Sequence, residues 1–180
     1  LNARRVIAIG RYNYQKGFDR LIKVWKTVNQ VCPEWTLDII GEGEDKAWLQ
    51  SLINYEKLNG SVRLMPVTSD IENVYLGASV VAMSSHYEGL PMVLLEAQSF
   101  GLPIVAFACQ CGPRDIVTDG ETGFLVPEGD VEGLADRLIT VMKDDDLRFS
   151  MGKKAKEASR CFEEETVMKK WMETFQTLLK

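Results

Sequence analysis

In the run SSHYEGLPMVLLEAQSFGLP, Ser84 to Pro103, Glu88 stands on a glycine turn and Glu96 lies in the apolar stretch behind it. Pro91 suits the first turn of a helix, where its missing N–H costs nothing. Gly89 permits a sharp turn and a close approach of a ligand to the backbone. A helix that begins at Pro91 and stops at Gly101 would turn its free amides and positive end toward an anion, phosphate above all. Carboxylates at the edges of such a site accept hydrogen bonds from hydroxyls. A central phosphate ringed by hydroxyls is the pattern of a nucleotide sugar. Val93, Leu94, Leu95 and Ala97 surround Glu96, and a helix apolar on all sides is buried. Glu96 is therefore expected to be buried and held by a partner or by a ligand hydroxyl. His86, the only histidine, precedes the turn and is assigned to lining the site rather than to acting as its general base.

A second cluster lies near the start, where GRYNYQKG places Arg11 and Lys16 between Gly10 and Gly17. Two such cations can clamp a diphosphate, Arg by a forked contact and Lys as a point charge. A solvated polar loop would carry the same residues; the anion-ready helix at Pro91 favours the clamp. In IIGEGEDK, Lys46 stands where a dinucleotide fingerprint would have its third glycine, and the run follows the second strand rather than the first. Gly41 and Gly43 then mark either a turn on which a flat base lies or a plain strand-to-helix turn. Cys32, Cys109, Cys111 and Cys161 read as reduced thiols in a core-rich chain. The C-x-C pair has only His86 for company, so zinc is not expected.

An alternation of strand and helix positions these groups. Short apolar strands are expected at Val6–Gly10, Leu37–Ile40, Val62–Met65, Val80–Met83, Ile104–Ala108 and Phe124–Val126. Between them, apolar residues at helical spacing follow Gly17, run from Trp48 to Leu58, follow an Asp70 cap, follow Pro91 and occupy Pro113–Val117. From Asp130 onward the chain reads as helices, with one stripe at Leu134, Leu138, Val141 and Met142 and another at Val167, Trp171, Phe175 and Leu178. Strands apolar on both faces belong to a parallel sheet covered by helices. The fold class is thus α/β, a doubly wound, Rossmann-like parallel sheet of about six strands with helices on both faces. Its ligand belongs at the carboxyl ends of the strands, where the strand order reverses.

With 180 residues, 46% of them hydrophobic and 26% charged, a single globular domain over 1–180 is expected. The net charge of -5 argues against a nucleic-acid partner. No apolar run approaches the roughly 20 residues of a membrane span. No signal peptide is evident, and a start at Leu1 rather than Met suggests a fragment.

Three motifs carry a family resemblance. The spacing Glu88-x7-Glu96 within EGLPMVLLE resembles the E-x7-E motif of retaining glycosyltransferases of the two-domain GT-B fold. GRYNYQKGFDRLI is similar to that family's GR-x4-KG segment, and DGETGFLVPEGD, Asp119 to Asp130, to its DG-x-TG-x-L-V stretch. The likeness covers nearly the whole chain, in order, and is to the group 1, or family-4-like, set. It implies the C-terminal half of a GT-B fold and a nucleotide-diphosphate-sugar donor. Arg11 and Lys16 would hold the diphosphate with the segment Gly89, Leu90, Pro91, Met92 and Val93. Glu96 would meet the ribose hydroxyls, Glu88 the transferred sugar, and His86 the wall beside it. Val67 and the Gly41–Gly43 turn would meet the base. Glu88, Arg11 and Lys16 are the groups assigned to catalysis, and neither a metal nor a cofactor is expected.

The resemblance also implies what lies outside the chain. A separate N-terminal domain would bind the acceptor, a sugar or lipid-linked glycan, and residues 163–180 would pack back on it. Cytoplasmic localisation is expected, with peripheral membrane association through that domain. ACQCGPRD, Ala108 to Asp115, departs from the glycine pair of many relatives and resembles enzymes of polysaccharide and lipopolysaccharide assembly. Two alternatives stay open: a GT-B nucleotide-sugar epimerase, which would invert the sugar, and a nucleotide-binding module that leaves the donor intact.

Overall fold

The computed structural model describes residues 1–179. Six strands form one sheet: β1 Arg5–Ile9, β2 Thr36–Ile40, β3 Val62–Met65, β4 Val80–Met83, β5 Ile104–Phe107 and β6 Gly123–Val126. Between them run α1 Phe18–Val31, α2 Lys46–Tyr55, α3 Ile71–Leu76, α4 Met92–Ser99 and α5 Pro113–Ile116; α6 Val131–Lys143, α7 Asp145–Ser159 and α8 Glu164–Leu178 follow. The strand order is β3-β2-β1-β4-β5-β6, and every pairing is parallel. The order therefore reverses between β1 and β4, which makes the loops after these two strands the expected ligand position.

Alternation along each strand builds two cores. Val6 and Ala8 of β1 face α1, α2 and α6, where Leu21, Trp25, Leu49, Leu134 and Leu138 are buried. Ile7 faces the other way, toward Tyr75 of α3 and Leu94 and Ala97 of α4. Among the described residues, no helix is long and apolar enough to cross a membrane.

The structure departs from the sequence reading in particular places. Asp38 interrupts β2 as a fully buried carboxylate, accepting from Arg5 Nε at 2.6 Å and Arg63 Nε at 2.6 Å on the flanking strands. A buried carboxylate persists only with such partners. Leu58 lies past the end of α2 and packs from the turn that follows. Asp70 occupies the N-cap position of α3, but its carboxylate accepts from Asn73 Nδ2 instead of a backbone amide. Pro91 is the N-cap of α4 rather than its first helical residue.

The carboxyl-terminal part contains a helix that the two stripes did not isolate. In α7 the buried face is narrow, made of Met151, Gly152 and Ala155 with Arg148. Arg148 Nη1 donates to the Val141 and Met142 carbonyls, both at 3.0 Å, and so satisfies orphan acceptors at the end of α6. Gly152 lets α7 approach the Gly101 carbonyl, which a Cβ would meet at 2.3 Å. No residue of α8 is buried, and Trp171 and Phe175 stack on each other in the open.

A Cβ at Gly41 would lie 1.9 Å from the Gly10 carbonyl oxygen, whereas one at Gly89 would meet nothing within 4 Å. Gly41→Ala is expected to cost at least about 2 kcal/mol, because backbone cannot yield as a side chain does. Gly89→Ala should leave thermal stability almost unchanged, and chemical denaturation of the two variants compares them directly.

Candidate functional site

Gly10 ends β1, and a single 3-10 turn, Tyr14–Lys16, brings the chain to α1. Asn13 caps that turn by accepting from the Lys16 amide, and Gly17 closes it in the left-handed conformation at φ 58°. A Cβ at Gly17 would stand 2.5 Å from the Ser84 carbonyl, so glycine here permits contact with the loop after β4. Gly10 likewise leaves room for the stem of Lys16, whose Cε would come within 2.9 Å of an added Cβ. Both glycines of GRYNYQKG therefore serve to seat Lys16.

The two loops are joined by several contacts. Ser84 Oγ donates to the Lys16 carbonyl at 3.0 Å, the His86 amide donates to the Gln15 carbonyl at 2.8 Å, and Gln15 Nε2 donates to the Tyr87 carbonyl. At the centre, Lys16 Nζ donates to Glu88 Oε1 at 2.7 Å, and Ser85 Oγ donates to the same oxygen at 2.6 Å. The Glu88 side chain is only 6% exposed and that of Lys16 20%. Glu88 Oε2 has no hydrogen-bond partner among the described residues. The amides of Leu90, Met92 and Val93 make none of the loop and cap hydrogen bonds, as expected for a helix start. An ammonium and a carboxylate thus meet at the reversal of strand order, on the loop that leads into the free amides at the start of α4.

His86 forms the wall beside this pair. Its ring stacks on Tyr14 at 4.2 Å with an interplanar angle of 10°, and Nδ1 lies 3.6 Å from Glu128. Arg20, which no motif singled out, also serves this wall. It donates to the Ser84 carbonyl and to Glu128, and its guanidinium lies over Phe107. Its Nε is buried without a partner among the described residues. Ser85 and Tyr75 were missed as well, since nothing local marks a serine or tyrosine as the partner of a distant carboxylate.

Several expectations need correction. Glu96 is exposed, because α4 turns Leu94, Ala97 and Gln98 to the core and leaves its outer side open. It is still held, accepting from Tyr75 Oη at 2.6 Å. Burial first, then this carboxylate, push the Tyr75 phenol well above its ordinary range. The buried polar residue of α4 is Gln98, which donates to the Ile116 carbonyl at 2.8 Å. Arg11 does not join Lys16: its side chain is 70% exposed and pairs with Glu44 at 3.3 Å. An exposed pair of this kind contributes little to stability and leaves Arg11 free to move.

The chain bends at Gly89 without a positive φ; the left-handed residues are Cys111 at φ 63° and Gly112 at φ 81°. They lie beneath the turn, where a Cβ on Gly112 would meet Pro91 Cδ at 2.4 Å and the Gly89 carbonyl at 2.6 Å. Gly41 and Gly43 accommodate the chain itself: added Cβ atoms would strike the backbone of Gly10 and Tyr12. Tyr12 is fully buried, with its hydroxyl 2.8 Å from the Ile39 and Met65 carbonyls, and burial pushes its pKa up to about 12. Val67 is exposed between β3 and α3, and Met65, Pro66, Thr68 and Val74 help line a cavity of about 360 Å³. All four cysteines are free thiols; burial pushes Cys109 up to about 11, while Cys111 is exposed.

Residues 2–158 match the family model described as glycosyl transferases group 1. The amylovoran biosynthesis glycosyltransferase AmsD of Erwinia amylovora is 38% identical over 93% of this chain and 46% of its own length. The chain spans about half the length, or less, of the curated relatives it matches. Among solved structures, Staphylococcus aureus TarM, crystallised as a mutant with Fondaparinux, alpha-GlcNAc-glycerol and UDP, superposes with a TM-score of 0.90 at 28% identity, over 96% of this chain and 35% of TarM. Anabaena HepE in complex with UDP-glucose superposes with a TM-score of 0.86 at 26% identity, over 98% of this chain and 49% of HepE. The sheet and its helices match the C-terminal, Rossmann-like half of GT-B glycosyltransferases. The chain belongs to the group 1 glycosyltransferases.

Proposed function

We propose that residues 1–180 form the donor-binding domain of a retaining glycosyltransferase that takes a nucleotide-diphosphate sugar. The observation that carries this is the Lys16–Glu88 pair, set between the two loops of the strand reversal and below the open amides of α4. In the reaction, the bond from the anomeric carbon to the diphosphate oxygen breaks and an acceptor hydroxyl oxygen bonds to that carbon. The hydroxyl proton leaves with the diphosphate. Negative charge grows on the leaving group, where Lys16, the amides of Leu90, Met92 and Val93, and the exposed Arg11 can stabilise it. Glu88 Oε2 accepts from a hydroxyl of the transferred sugar, and His86 forms the adjoining wall. Glu96, oriented by Tyr75, accepts from the ribose, and the base lies toward Val67. No metal or cofactor is required for these roles.

The acceptor, a sugar or lipid-linked glycan, sits opposite on a further domain, and α8 with its open apolar face packs toward that domain. AmsD supports a place in polysaccharide or related glycoconjugate synthesis. The four free cysteines support a cytoplasmic location, at the inner face of a membrane when the acceptor is lipid-linked.

Lys16→Ala should weaken UDP by about 1.5–3 kcal/mol and uridine far less, because only UDP presents the diphosphate. Arg11→Ala should produce the smaller loss of the two, since Arg11 begins in solvent. Calorimetric titration with both ligands measures this, and equal losses for UDP and uridine would remove both residues from the diphosphate site.

The two carboxylates should separate by ligand. Glu96→Gln, and Tyr75→Phe through it, should weaken UDP while sparing its 2′,3′-dideoxy analogue. Glu88→Gln should leave UDP nearly unchanged and weaken UDP-glucose. The same titrations test both, and a loss of UDP affinity confined to the Glu88 variant would reverse the roles.

A further inference from the structure

Lys16 has two duties that compete. It is the only cation paired with Glu88 among the described residues, at 2.7 Å, and in the donor reading its ammonium also meets the diphosphate. The Glu88 side chain is 6% exposed. Drawing Lys16 toward a phosphate therefore takes the countercharge from a nearly buried carboxylate, and a buried charge left alone is costly. Arg20 does not replace it, being engaged with the Ser84 carbonyl and Glu128. Burial first, then the charges of Glu88 and Glu128, push the Cys109 thiol up to about 11, so it stays neutral and offers no countercharge.

Ser85 is placed to cover that loss. It is 1% exposed, and its Oγ donates at 2.6 Å to Glu88 Oε1, the oxygen that Lys16 also holds. Its hydroxyl makes no other hydrogen bond among the described residues. A hydrogen bond to an ionised carboxylate is stronger than one between neutral groups. The two donors also differ in origin. Ser85 and Glu88 stand three residues apart on the loop after β4, so their bond does not depend on the loop after β1. Lys16 reaches across from that other loop, where its backbone is held separately: its amide donates to Asn13, and its carbonyl accepts from Ser84 Oγ at 3.0 Å. The ammonium, at the end of a flexible stem, is free to turn while both loops keep their places.

We infer that Ser85 is a positioning residue that releases Lys16 to the diphosphate: its hydroxyl keeps Glu88 ionised and in place while the ammonium turns to the donor. This rests on the assignment of Lys16 to the diphosphate. Without Ser85, Glu88 depends on Lys16 alone among the described side chains. A diphosphate must then compete for the ammonium against a charge that has no other partner. The neighbouring serines divide the work, Ser84 holding the backbone of Lys16 and Ser85 freeing its head.

Calorimetric titration of the 180-residue chain with UDP and with uridine tests this. Ser85→Ala should weaken UDP about tenfold, the scale of one donor lost from a buried charged acceptor, and leave uridine within about twofold. Adding Glu88→Gln to Ser85→Ala should restore UDP to the affinity of Glu88→Gln alone, since a neutral side chain makes a much weaker claim on Lys16. A merely structural role for Ser85 predicts no such rescue. Ser85→Cys, which keeps a similar shape with a weaker donor, is the second variant and should fall between parent and Ser85→Ala. Equal weakening of UDP and uridine, or a double variant that binds UDP as poorly as Ser85→Ala, would overturn the proposal. So would parent-like UDP binding by both Ser85 variants where Lys16→Ala binds UDP poorly. If Lys16→Ala binds UDP as the parent does, the donor assignment itself falls, and this role of Ser85 falls with it.

Discussion

Glu88 cannot be nearly buried without a cation, and Lys16 supplies it from the loop on the other side of the strand reversal. That single pair sets the distance between the two loops and aims one carboxylate oxygen at the open face of the site. Ser85 adds a second donor to the paired oxygen, which leaves Glu88 Oε2 without a partner among the described residues. In the proposed reading a diphosphate would share Lys16 with Glu88, its own charge matched by the amides at the start of α4. The Lys16–Glu88 hydrogen bond joins the two loops of the strand reversal.

Backbone packing makes that pair possible. Gly17 lies against the Ser84 carbonyl, Gly41 and Gly43 lie against the first loop, and Gly112 lies under Pro91. In each case the space a side chain would need is occupied by atoms of another loop. The loops at the carboxyl edge of the sheet are therefore wedged together by close contact. Arg20 extends the same layer, reaching from α1 to the Ser84 carbonyl and to Glu128, which in turn lies beside His86.

Much of this was legible in the residues. The apolar runs located all six strands, and Val80–Met83 coincides with β4. Lys16 and Glu88 do meet, on the two loops of the strand reversal to which their motifs pointed. What stayed hidden was long-range or side-specific. The apolar neighbours of Glu96 suggested burial, but α4 turns only Leu94, Ala97 and Gln98 inward, and the exposed Met92 and Glu96 mark its open side. Of the two readings open for Gly41 and Gly43, the packing of both against the backbone of the first loop fits the plain strand-to-helix turn; a glycine reports that something comes close, not whether it is a ligand or the chain. Arg20, Tyr75 and Asp38 find partners on other elements, and no local spacing announces such pairs. In α7, three small or flexible buried residues among many charges made too narrow a stripe to stand out.

A crystal structure of the chain soaked with UDP-glucose would show where the donor lies. The diphosphate should lie between Lys16 Nζ and the amides of Leu90 to Val93, with the ribose at Glu96 and the glucose hydroxyls within reach of Glu88 Oε2. A diphosphate bound away from Lys16, with the Lys16–Glu88 pair undisturbed and no ligand at the start of α4, would remove the donor from this site.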